Sequence, residues 1–280
     1  MLYYRLMKVS VVTASYNYQD YIKEAIQSVL NQTYKDWELI IVDDCSTDNS
    51  VQVINSYKDD RIKLFVNEKN LGLQKTVKRG IENASGEWIV FLESDDILKP
   101  DNIEKKIRIA QKYKDVNLIF NDCEFFGDEE KVSDFTIALK KTRSLLRKKT
   151  YPQNMFYNFY LSNKVFTFSS VMAKRDDLLK ISFNPPMDCL LDWWLWVQMA
   201  YIGKFYYIPE ILTEWRLHTD SYIYKSKHNS PKQLQMKIYF EMFKKYKNPM
   251  ILLFIPFAQI IWHLQQIKKN TKKLIFNKGK

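Results

Sequence analysis

Short apolar runs alternate with amphipathic stretches along the first hundred residues. The apolar runs are rich in Val, Ile and aromatic residues, a composition typical of strands buried on both faces. Alternation of strand and helix predicts parallel strands joined by right-handed crossovers. The predicted strands lie within residues 8–15, 37–42, 61–66 and 88–92, and the helices at 18–30, 51–54 and 73–83.

Polar clusters follow three of these strands, at the point where each strand ends. They are Ser15 to Asn17, Asp43 to Asp48, and Glu93 to Asp96. The carboxyl ends of parallel strands meet at one edge of the sheet, and open sheets bind ligands there. The pattern therefore predicts a nucleotide-binding edge.

The run Trp88 to Leu92 leads directly into Glu93, Asp95 and Asp96. Grouped carboxylates repel one another unless a cation neutralises them. Oxygen ligands of this kind suit Mg²⁺ or Mn²⁺, which in turn suit a diphosphate. The alternative for this stretch alone is a solvated acidic turn.

The second half of the chain shows weaker periodicity. Residues 124–150 are polar and basic, and we expect a mobile loop over the site, with a solvated surface stretch as the alternative. Asp192 opens an amphipathic helix that reaches Tyr201, where an aspartate is either a helix cap or a functional group. The other predicted elements are a helix at 102–113 and strands at 117–120, 166–172 and 205–208.

The net charge of +11 is unevenly placed along the 280 residues. From Lys225 onward the chain has 13 lysines and one acid, Glu241, whereas the first 224 residues are nearly neutral. This favours a tail that meets an anionic surface, and a neutral body argues against nucleic acid as a partner. Lysines flank the apolar run 250–262, which is too short to span a bilayer and typical of an in-plane membrane helix. Packing on the body or on a second subunit is the alternative.

Cysteine usage favours a reducing compartment. Cys45, Cys123 and Cys189 are far apart, an odd number with no Cys-x-x-Cys pair, which makes a zinc site unlikely. The N-terminal residues lack the apolar core of a signal sequence. We therefore expect a cytoplasmic protein held peripherally on the inner face of the cell membrane.

The chain carries a series of motifs that resembles glycosyltransferase family 2, the inverting enzymes of GT-A fold. The resemblance covers about residues 8 to 221. Three positions depart from the family pattern, with Ala14 in place of proline, Cys45 in place of glycine and Leu191 in place of an acid. The matching stretches are 9–17, 28–33, 43–48, 70–72, 84–88, 94–96, 191–196 and 215–221.

The resemblance implies an α/β fold of GT-A type, a Rossmann-like and mostly parallel central sheet flanked by helices, with a C-terminal helical extension. Residues 1–224 form the catalytic domain, with a nucleotide-binding half at 1–100 and an acceptor-binding half at 101–224. Residues 225–280 form the basic amphipathic tail. The implied activity is the metal-dependent transfer of a sugar from a nucleotide sugar, expected to be a UDP-sugar, with inversion at the anomeric carbon. The expected acceptor is a glycan or lipid-linked glycan in cell-surface polysaccharide synthesis.

The same resemblance implies the roles of individual residues. Asp96 binds Mn²⁺ or Mg²⁺ directly, Asp95 contacts the ribose or the metal shell, and Asp192 is the general base. Asp44 hydrogen-bonds the edge of the nucleotide base. His218 touches the metal or the diphosphate, with a core or surface histidine as the alternative. Lys75 and Lys78 are within reach of phosphate or lie on a solvated helix face. The residues expected to bind the nucleotide sugar are Ala14, Ser15, Asn17, Asp43, Asp44, Lys75, Lys78 and Asp95.

Two other classes remain open at this point. A nucleotidyltransferase would share the nucleotide fold and acidic metal ligands, but it usually has a Gly-rich phosphate loop after the first strand, where this chain has Ala14 to Asn17. A catalytically inactive carbohydrate-binding relative is disfavoured by the presence of both Asp96 and Asp192. The sugar, the acceptor, the linkage and a homo-oligomeric state are not specified by any motif.

Overall fold

A computed structural model describes residues 7–186, 191–218, 231–249 and 251. One eight-stranded sheet lies at its centre, with helices on both faces. The elements are β1 Val9–Ser15, α1 Ile22–Leu30, β2 Trp37–Asp43, α2 Ser50–Asn55, β3 Ile62–Val66, α3 Leu73–Asn83, β4 Trp88–Phe91, β5 Ile97–Leu98, α4 Asn102–Lys112, β6 Val116–Gly127, α5 Glu129–Arg147, α6 Phe156–Leu161, a 3₁₀ turn Phe168–Ser170, β7 Val171–Lys174, α7 Arg175–Leu178, α8 Leu191–Ile202, β8 Lys204–Leu217 and α9 Pro231–Tyr246.

The strand order is β3-β2-β1-β4-β7-β6-β8-β5. The first four strands run parallel, as the alternation of strand and helix predicts. β7 is antiparallel to both β4 and β6, whereas β8 runs parallel to β6 and pairs with it along its whole length. This is the mostly parallel α/β sheet expected from the sequence.

Alternate residues of the central strands pack into two separate cores, one on each face of the sheet. Val12, Ile40 and Val42 contribute to one core, and Val11 and Leu39 contribute to the other. Because side chains alternate across a strand, both faces are apolar and both require a layer of helices. A Cβ on Gly80 would lie 2.5 Å from a Val12 methyl, so glycine lets α3 approach the sheet closely.

The prediction of a mobile loop at 124–150 was wrong. Residues up to Gly127 complete β6, and α5 follows at Glu129–Arg147. The cause is Asp122, which is almost fully buried and pairs with Arg143 at 2.7 Å and with Arg147 at 3.2 Å. Arg143 and Arg147, two of the basic residues that suggest a solvated stretch, therefore hold the helix α5 against β6.

We expect Asp122→Ala to lower the free energy of unfolding by about 3 kcal/mol, because it leaves the largely buried Arg143 guanidinium without its partner. Urea denaturation followed by circular dichroism measures the change. Asp134→Ala on the exposed face of α5 is the control and should change little. Equal stability of the Asp122 variant and the parent would contradict the role given to this ion pair.

The helix α9 packs on the body formed by the preceding elements. Ile238, Tyr239 and Met242 are fully buried, the rings of Tyr239 and Tyr160 lie 4.0 Å apart, and Lys245 Nζ donates to Gln198 Oε1 at 2.7 Å. This part of the tail follows the packing alternative. The apolar run 250–262 and the lysines beyond it lie outside the described residues, apart from Ile251, so their membrane contact stays a prediction.

Among the described residues, the model has no helix that combines the length and the apolar character needed to cross a membrane.

Candidate active site

The ends of β1, β2 and β4 meet at one edge of the sheet, as predicted. Ser15 is in register with Asp43 across β1 and β2, and Val12 is in register with Phe91, two residues before Glu93. The Ser15 hydroxyl is buried and has no hydrogen-bond partner among the described residues. A buried hydroxyl of this kind is available to a ligand.

The loops after β1 and β2 interlock. Asn17 N–H donates to Ser46 Oγ at 2.9 Å, and Asn17 Oδ1 accepts from Thr47 N–H at 2.8 Å. Asp43 closes the turn by accepting from Ser46 N–H and Ser46 Oγ. Asn17 and Cys45 both have positive φ, at 58° and 66°, which explains why the family uses glycine at the second position.

Asp44 is nearly buried and holds the loop that precedes α3. Its Oδ1 accepts from Asn67 Nδ2 at 2.7 Å and from Leu71 N–H at 2.8 Å, and its Oδ2 accepts from Gly72 N–H at 2.9 Å. The carboxylate therefore fixes the Asn70 to Gly72 loop against β2. Its expected contact with the nucleotide base stays a prediction.

Lys75 and Lys78 lie exposed on α3, at the same edge of the sheet. Lys78 is 3.4 Å from Glu82, one turn along the helix, in an exposed ion pair that adds little stability. Ala14, the remaining residue of the nucleoside prediction, is half-buried in β1 beside Val42 of β2.

Asp96 lies beneath the acidic cluster and is fully buried. Its Oδ2 accepts from Ser169 Oγ at 2.6 Å and from Thr167 Oγ1 at 3.1 Å, and its Oδ1 accepts from Arg216 N–H at 3.0 Å. Ser169 Oγ and the Arg216 N–H thus donate to the carboxylate that was expected to bind metal directly, and the Thr167 hydroxyl lies within hydrogen-bond distance of it.

Asp95 and His218 form a pair at the site. Asp95 Oδ2 is 2.9 Å from His218 Nε2, and each side chain is slightly over a tenth exposed. The His218 ring packs on Tyr21 with centroids 4.8 Å apart, and its Nδ1 is buried without a described partner. This is the carboxylate and imidazole combination that Mn²⁺ accepts.

The acidic residues strongly perturb one another. Burial and the nearby Asp95 raise the pKa of Glu93 to about 8. Burial, Asp95 and Glu93 raise the pKa of Asp96 well above its usual range, and the same carboxylates add to the effect of burial in raising the pKa of Tyr18. Crowded, buried carboxylates are costly when ionised, so this edge of the sheet favours a bound cation.

Arg216 supplies one positive charge to this edge. Its Nε donates to the Asp95 carbonyl oxygen at 2.9 Å, its Nη2 is 2.9 Å from Glu24, and its guanidinium lies 4.3 Å from the Phe126 ring. The side chain joins α1 to the end of β8 and thereby positions the segment that bears His218.

Asp192 is in the first turn of α8, across the site. Its Oδ2 accepts from Asn163 Nδ2 at 2.6 Å, and its charge contributes to the raised pKa of Glu93. Burial raises the pKa of Asp192, while hydrogen bonds from the Trp193 backbone and from Asn163 oppose that rise. A carboxylate with a raised pKa is a stronger base than one in water.

No three His, Cys, Asp or Glu side chains within the described ranges are already grouped as a metal site. The residues present nevertheless fit Mn²⁺ or Mg²⁺, because Asp95 and His218 offer an oxygen and a nitrogen beside carboxylates that repel one another. Such ions are commonly held by one or two protein ligands together with substrate phosphates.

Several residues that support this site have no sequence signal of their own. In a stretch predicted as a strand, Ser169 donates to Asp96, and the single hydroxyl hydrogen of Thr167 lies between Glu93, at 2.9 Å, and Asp96, at 3.1 Å. Asn163 precedes that stretch and reaches Asp192. Only the three-dimensional fold brings these hydroxyl and amide groups to the carboxylates.

Two solved structures share this fold at low sequence identity. Staphylococcus aureus TarS residues 1–349 in complex with UDP-GlcNAc superposes with a TM-score of 0.64 and 19% identity, covering 85% of this chain and 67% of that one. The mannosyltransferase PcManGT of Pyrobaculum calidifontis, in complex with GDP-Man and Mn²⁺, superposes with a TM-score of 0.60 and 16% identity. The match covers 92% of this chain and 69% of that one. The fold is therefore the GT-A fold.

Curated relatives are closer in sequence. The putative teichuronic acid biosynthesis glycosyltransferase TuaG of Bacillus subtilis is 31% identical over 216 residues, which is 76% of this chain and 80% of TuaG. WfgD of Escherichia coli, a UDP-Glc:α-D-GlcNAc-diphosphoundecaprenol β-1,3-glucosyltransferase, is 31% identical over 191 residues, 68% of this chain and 69% of WfgD. The family model named glycosyl transferase family 2 matches residues 10–173. This chain belongs to glycosyl transferase family 2, and it is a glycosyltransferase rather than a nucleotidyltransferase.

Proposed function

We propose that this chain transfers a sugar from a UDP-sugar, with inversion at the anomeric carbon and with the help of Mn²⁺ or Mg²⁺, to a hydroxyl group of a lipid-linked glycan. The observation that carries the proposal is the Asp95 and His218 pair, set among mutually repelling carboxylates at the nucleotide edge, with Asp192 opposite. The reaction belongs to cell-surface polysaccharide synthesis.

Asp95 and His218 are the proposed protein ligands of the cation. The sequence favours Asp96 for this role, but the donors from Ser169 and Arg216, with the Thr167 hydroxyl close by, support a structural role for Asp96 instead. Asp96 holds the chain after β4 in place through Ser169, Thr167 and Arg216, and Asp95 faces His218. When bound, the cation neutralises the diphosphate as it leaves.

Asp192 is the proposed general base. Its role is to take the proton from the acceptor hydroxyl, which needs a carboxylate within hydrogen-bond reach of that group. The bond from Asn163 fixes Oδ2 of this carboxylate and thereby orients the side chain. A single base without a candidate nucleophile beside it favours one displacement, and hence inversion.

The nucleoside is proposed to lie across the ends of β1 and β2, against Ala14, Ser15, Asn17, Asp43 and Asp44. The unpartnered Ser15 hydroxyl and the rigid Asn17 to Ser46 contact support this position. Lys75 and Lys78 extend the nucleotide site toward the phosphates from α3. A UDP-sugar is favoured over other donors by the name of WfgD and by the UDP-GlcNAc in TarS.

We place the protein peripherally on the inner face of the cell membrane, where a lipid-linked acceptor is presented. The basic tail beyond residue 250 supports this location, because each lysine near an anionic surface adds about 1 kcal/mol of attraction. Packing of the tail on a second subunit remains the alternative arrangement.

Release of UDP from a panel of UDP-, GDP- and CMP-sugars, with Mn²⁺ and with EDTA, tests the proposed function. We expect UDP to be released from one or a few UDP-sugars, and only with metal. Release of GDP or CMP in preference to UDP would overturn the donor assignment. Failure of every sugar nucleotide, by a folded protein supplied with lipid-linked acceptor, would favour an inactive carbohydrate-binding relative.

We expect Asn163→Ala to lower kcat about tenfold while the affinity for UDP is unchanged, because a charge-assisted hydrogen bond on the base is lost. The acid limb of the pH–rate profile should move to higher pH, since Asn163 holds down the pKa of Asp192. The profile is measured under saturating donor. A fall in kcat with an unmoved acid limb would assign Asn163 a merely structural role.

A further inference from the structure

Three lysines interact electrostatically with one another beside the 162–167 segment, and none of them forms an ion pair within the described residues. We propose that Lys141, Lys149 and Lys164 bind a diphosphate group carried by the acceptor. The inference rests on the proposed function and adds the chemistry by which this chain would recognise its acceptor.

The position of Lys164 relates this cluster to the reaction. Lys164 lies in a short segment, residues 162–167, that contacts the site at two points. At one point Asn163 donates to Asp192, and at the other the Thr167 hydroxyl lies within hydrogen-bond distance of both Asp96 and Glu93. Val165 and Phe166 are buried between these contacts, so the segment is held firmly. An anion bound at Lys164 is therefore fixed relative to the base.

The amine of Lys164 faces α5 rather than the acidic cluster. Its charge interacts with Lys141 on α5 and Lys149 just beyond that helix, and its Nζ donates to Ser162 Oγ. Lys149 Nζ donates to Asn158 Oδ1 of α6 at 3.4 Å. The amines of Lys149 and Lys164 thus have uncharged hydrogen-bond partners. None of the three lysines forms an ion pair within the described residues.

The lysines are held together by the fold. The ion pairs of Asp122 with Arg143 and Arg147 anchor α5 on β6, and Lys141 lies on the same helix two residues before Arg143. Burial of Lys164, together with the charges of Lys141 and Lys149, lowers the pKa of its amine. Like charges brought together in this way are costly, and an anion that bridges them would remove the cost.

The number of amines in the cluster and their access to solvent favour a diphosphate on the acceptor. Three amines match the several oxygens of a diphosphate, whereas the diphosphate of the donor is proposed to lie at Asp95 and His218. Lys141 is exposed and Lys149 and Lys164 are half-buried, so a ligand can enter from the surface. A sugar attached to that diphosphate would then reach toward Asp192.

Binding of geranyl diphosphate, inorganic pyrophosphate and geraniol to the full-length protein, measured by calorimetry in EDTA, tests the proposal. EDTA removes any cation that would bridge a diphosphate to Asp95 and His218. We expect both diphosphates to bind and geraniol not to bind. The triple variant Lys141→Gln, Lys149→Gln, Lys164→Gln should bind diphosphate at least about tenfold more weakly. Lys140→Gln, a charge change on the same helix outside the cluster, should bind as the parent does.

Two comparisons complete the test. If geranyl diphosphate binds at least about tenfold more tightly than pyrophosphate, the natural ligand is a lipid-linked headgroup. If the two bind equally, a free diphosphate group suffices. Either result supports the site. The double variant Lys141→Gln, Lys149→Gln repeats the test without altering the half-buried Lys164. Equal diphosphate binding by the parent and both cluster variants, or an equal loss in Lys140→Gln, overturns the proposal.

UDP binding with Mn²⁺ separates this proposal from the proposed function. The triple variant should bind UDP as the parent does, because the donor site is elsewhere. If UDP binding falls as much as diphosphate binding, the lysines belong to the donor site and the acceptor proposal is wrong. If the parent itself fails to bind UDP, the proposed function fails while diphosphate binding at the lysines is still measured independently.

Discussion

Asp192→Asn is expected to lower kcat by about 100-fold or more while UDP binds with unchanged affinity. The amide keeps the size of the side chain and its place in the first turn of α8, but it cannot accept the proton of the acceptor hydroxyl. Because the base acts on the acceptor rather than on the nucleotide, the loss should fall on transfer alone. Steady-state kinetics with saturating donor, and calorimetry with UDP and Mn²⁺, measure the two quantities.

The matched control is Asp176→Asn, which changes an exposed aspartate in the first turn of α7. It should leave both transfer and stability close to those of the parent. If Asp192→Asn and Asp176→Asn have the same activity, Asp192 is only a helix-terminal residue. In the parent, activity should rise with pH through the raised pKa of Asp192, since the base must be ionised.

The second large effect is expected at Asp95. Asp95→Ala should reduce the Mn²⁺-dependent affinity for UDP by about 100-fold, because it removes the carboxylate proposed to hold the cation with His218. The control Asp101→Ala removes a carboxylate paired with Lys105 and should leave the Mn²⁺-dependent affinity for UDP unchanged. Asp96→Asn should instead lower stability, since Asp96 lies fully buried among donors. Equal Mn²⁺ dependence in Asp95→Ala and the parent would return the metal role to Asp96.

The same cluster predicts how stability depends on pH. The pKa of Glu93 is about 8 in the folded chain and about 4.3 in an unfolded one. At pH values between these two, the folded state therefore binds more protons than the unfolded state. Stability of the metal-free protein should therefore decrease as the pH rises from about 5 to 8. Mn²⁺ with UDP should raise the melting temperature more at pH 8 than at pH 5, and the reverse order would contradict the electrostatic origin of the site.

The nucleotide half of the fold could be predicted from sequence because its signals are local. Each strand there is a short apolar run, each crossover helix has its own period, and the polar residues at the strand ends share one edge by geometry alone. Ser15, Asp43 and Glu93 came together for that reason. The motifs added the predicted roles of Asp96, Asp192 and His218.

The second half could not be predicted in the same way, because its contacts are long-range. Arg143 and Arg147 appear to belong to a solvated basic stretch until Asp122 is seen buried beneath them. The proposed exchange of roles between Asp95 and Asp96 rests on contacts of the same kind. Adjacent aspartates look equivalent in a motif, and only Ser169, Thr167 and Arg216, from distant parts of the chain, distinguish them.

Calorimetric titration of UDP into the parent protein, with Mn²⁺ and then with EDTA, tests most directly whether the acidic edge is a cation-dependent nucleotide site. We predict binding with Mn²⁺ and a loss of about 100-fold with EDTA, with the two conditions indistinguishable in Asp95→Ala. Equal affinity for UDP with and without metal in the parent would contradict the proposed role of Asp95 and His218.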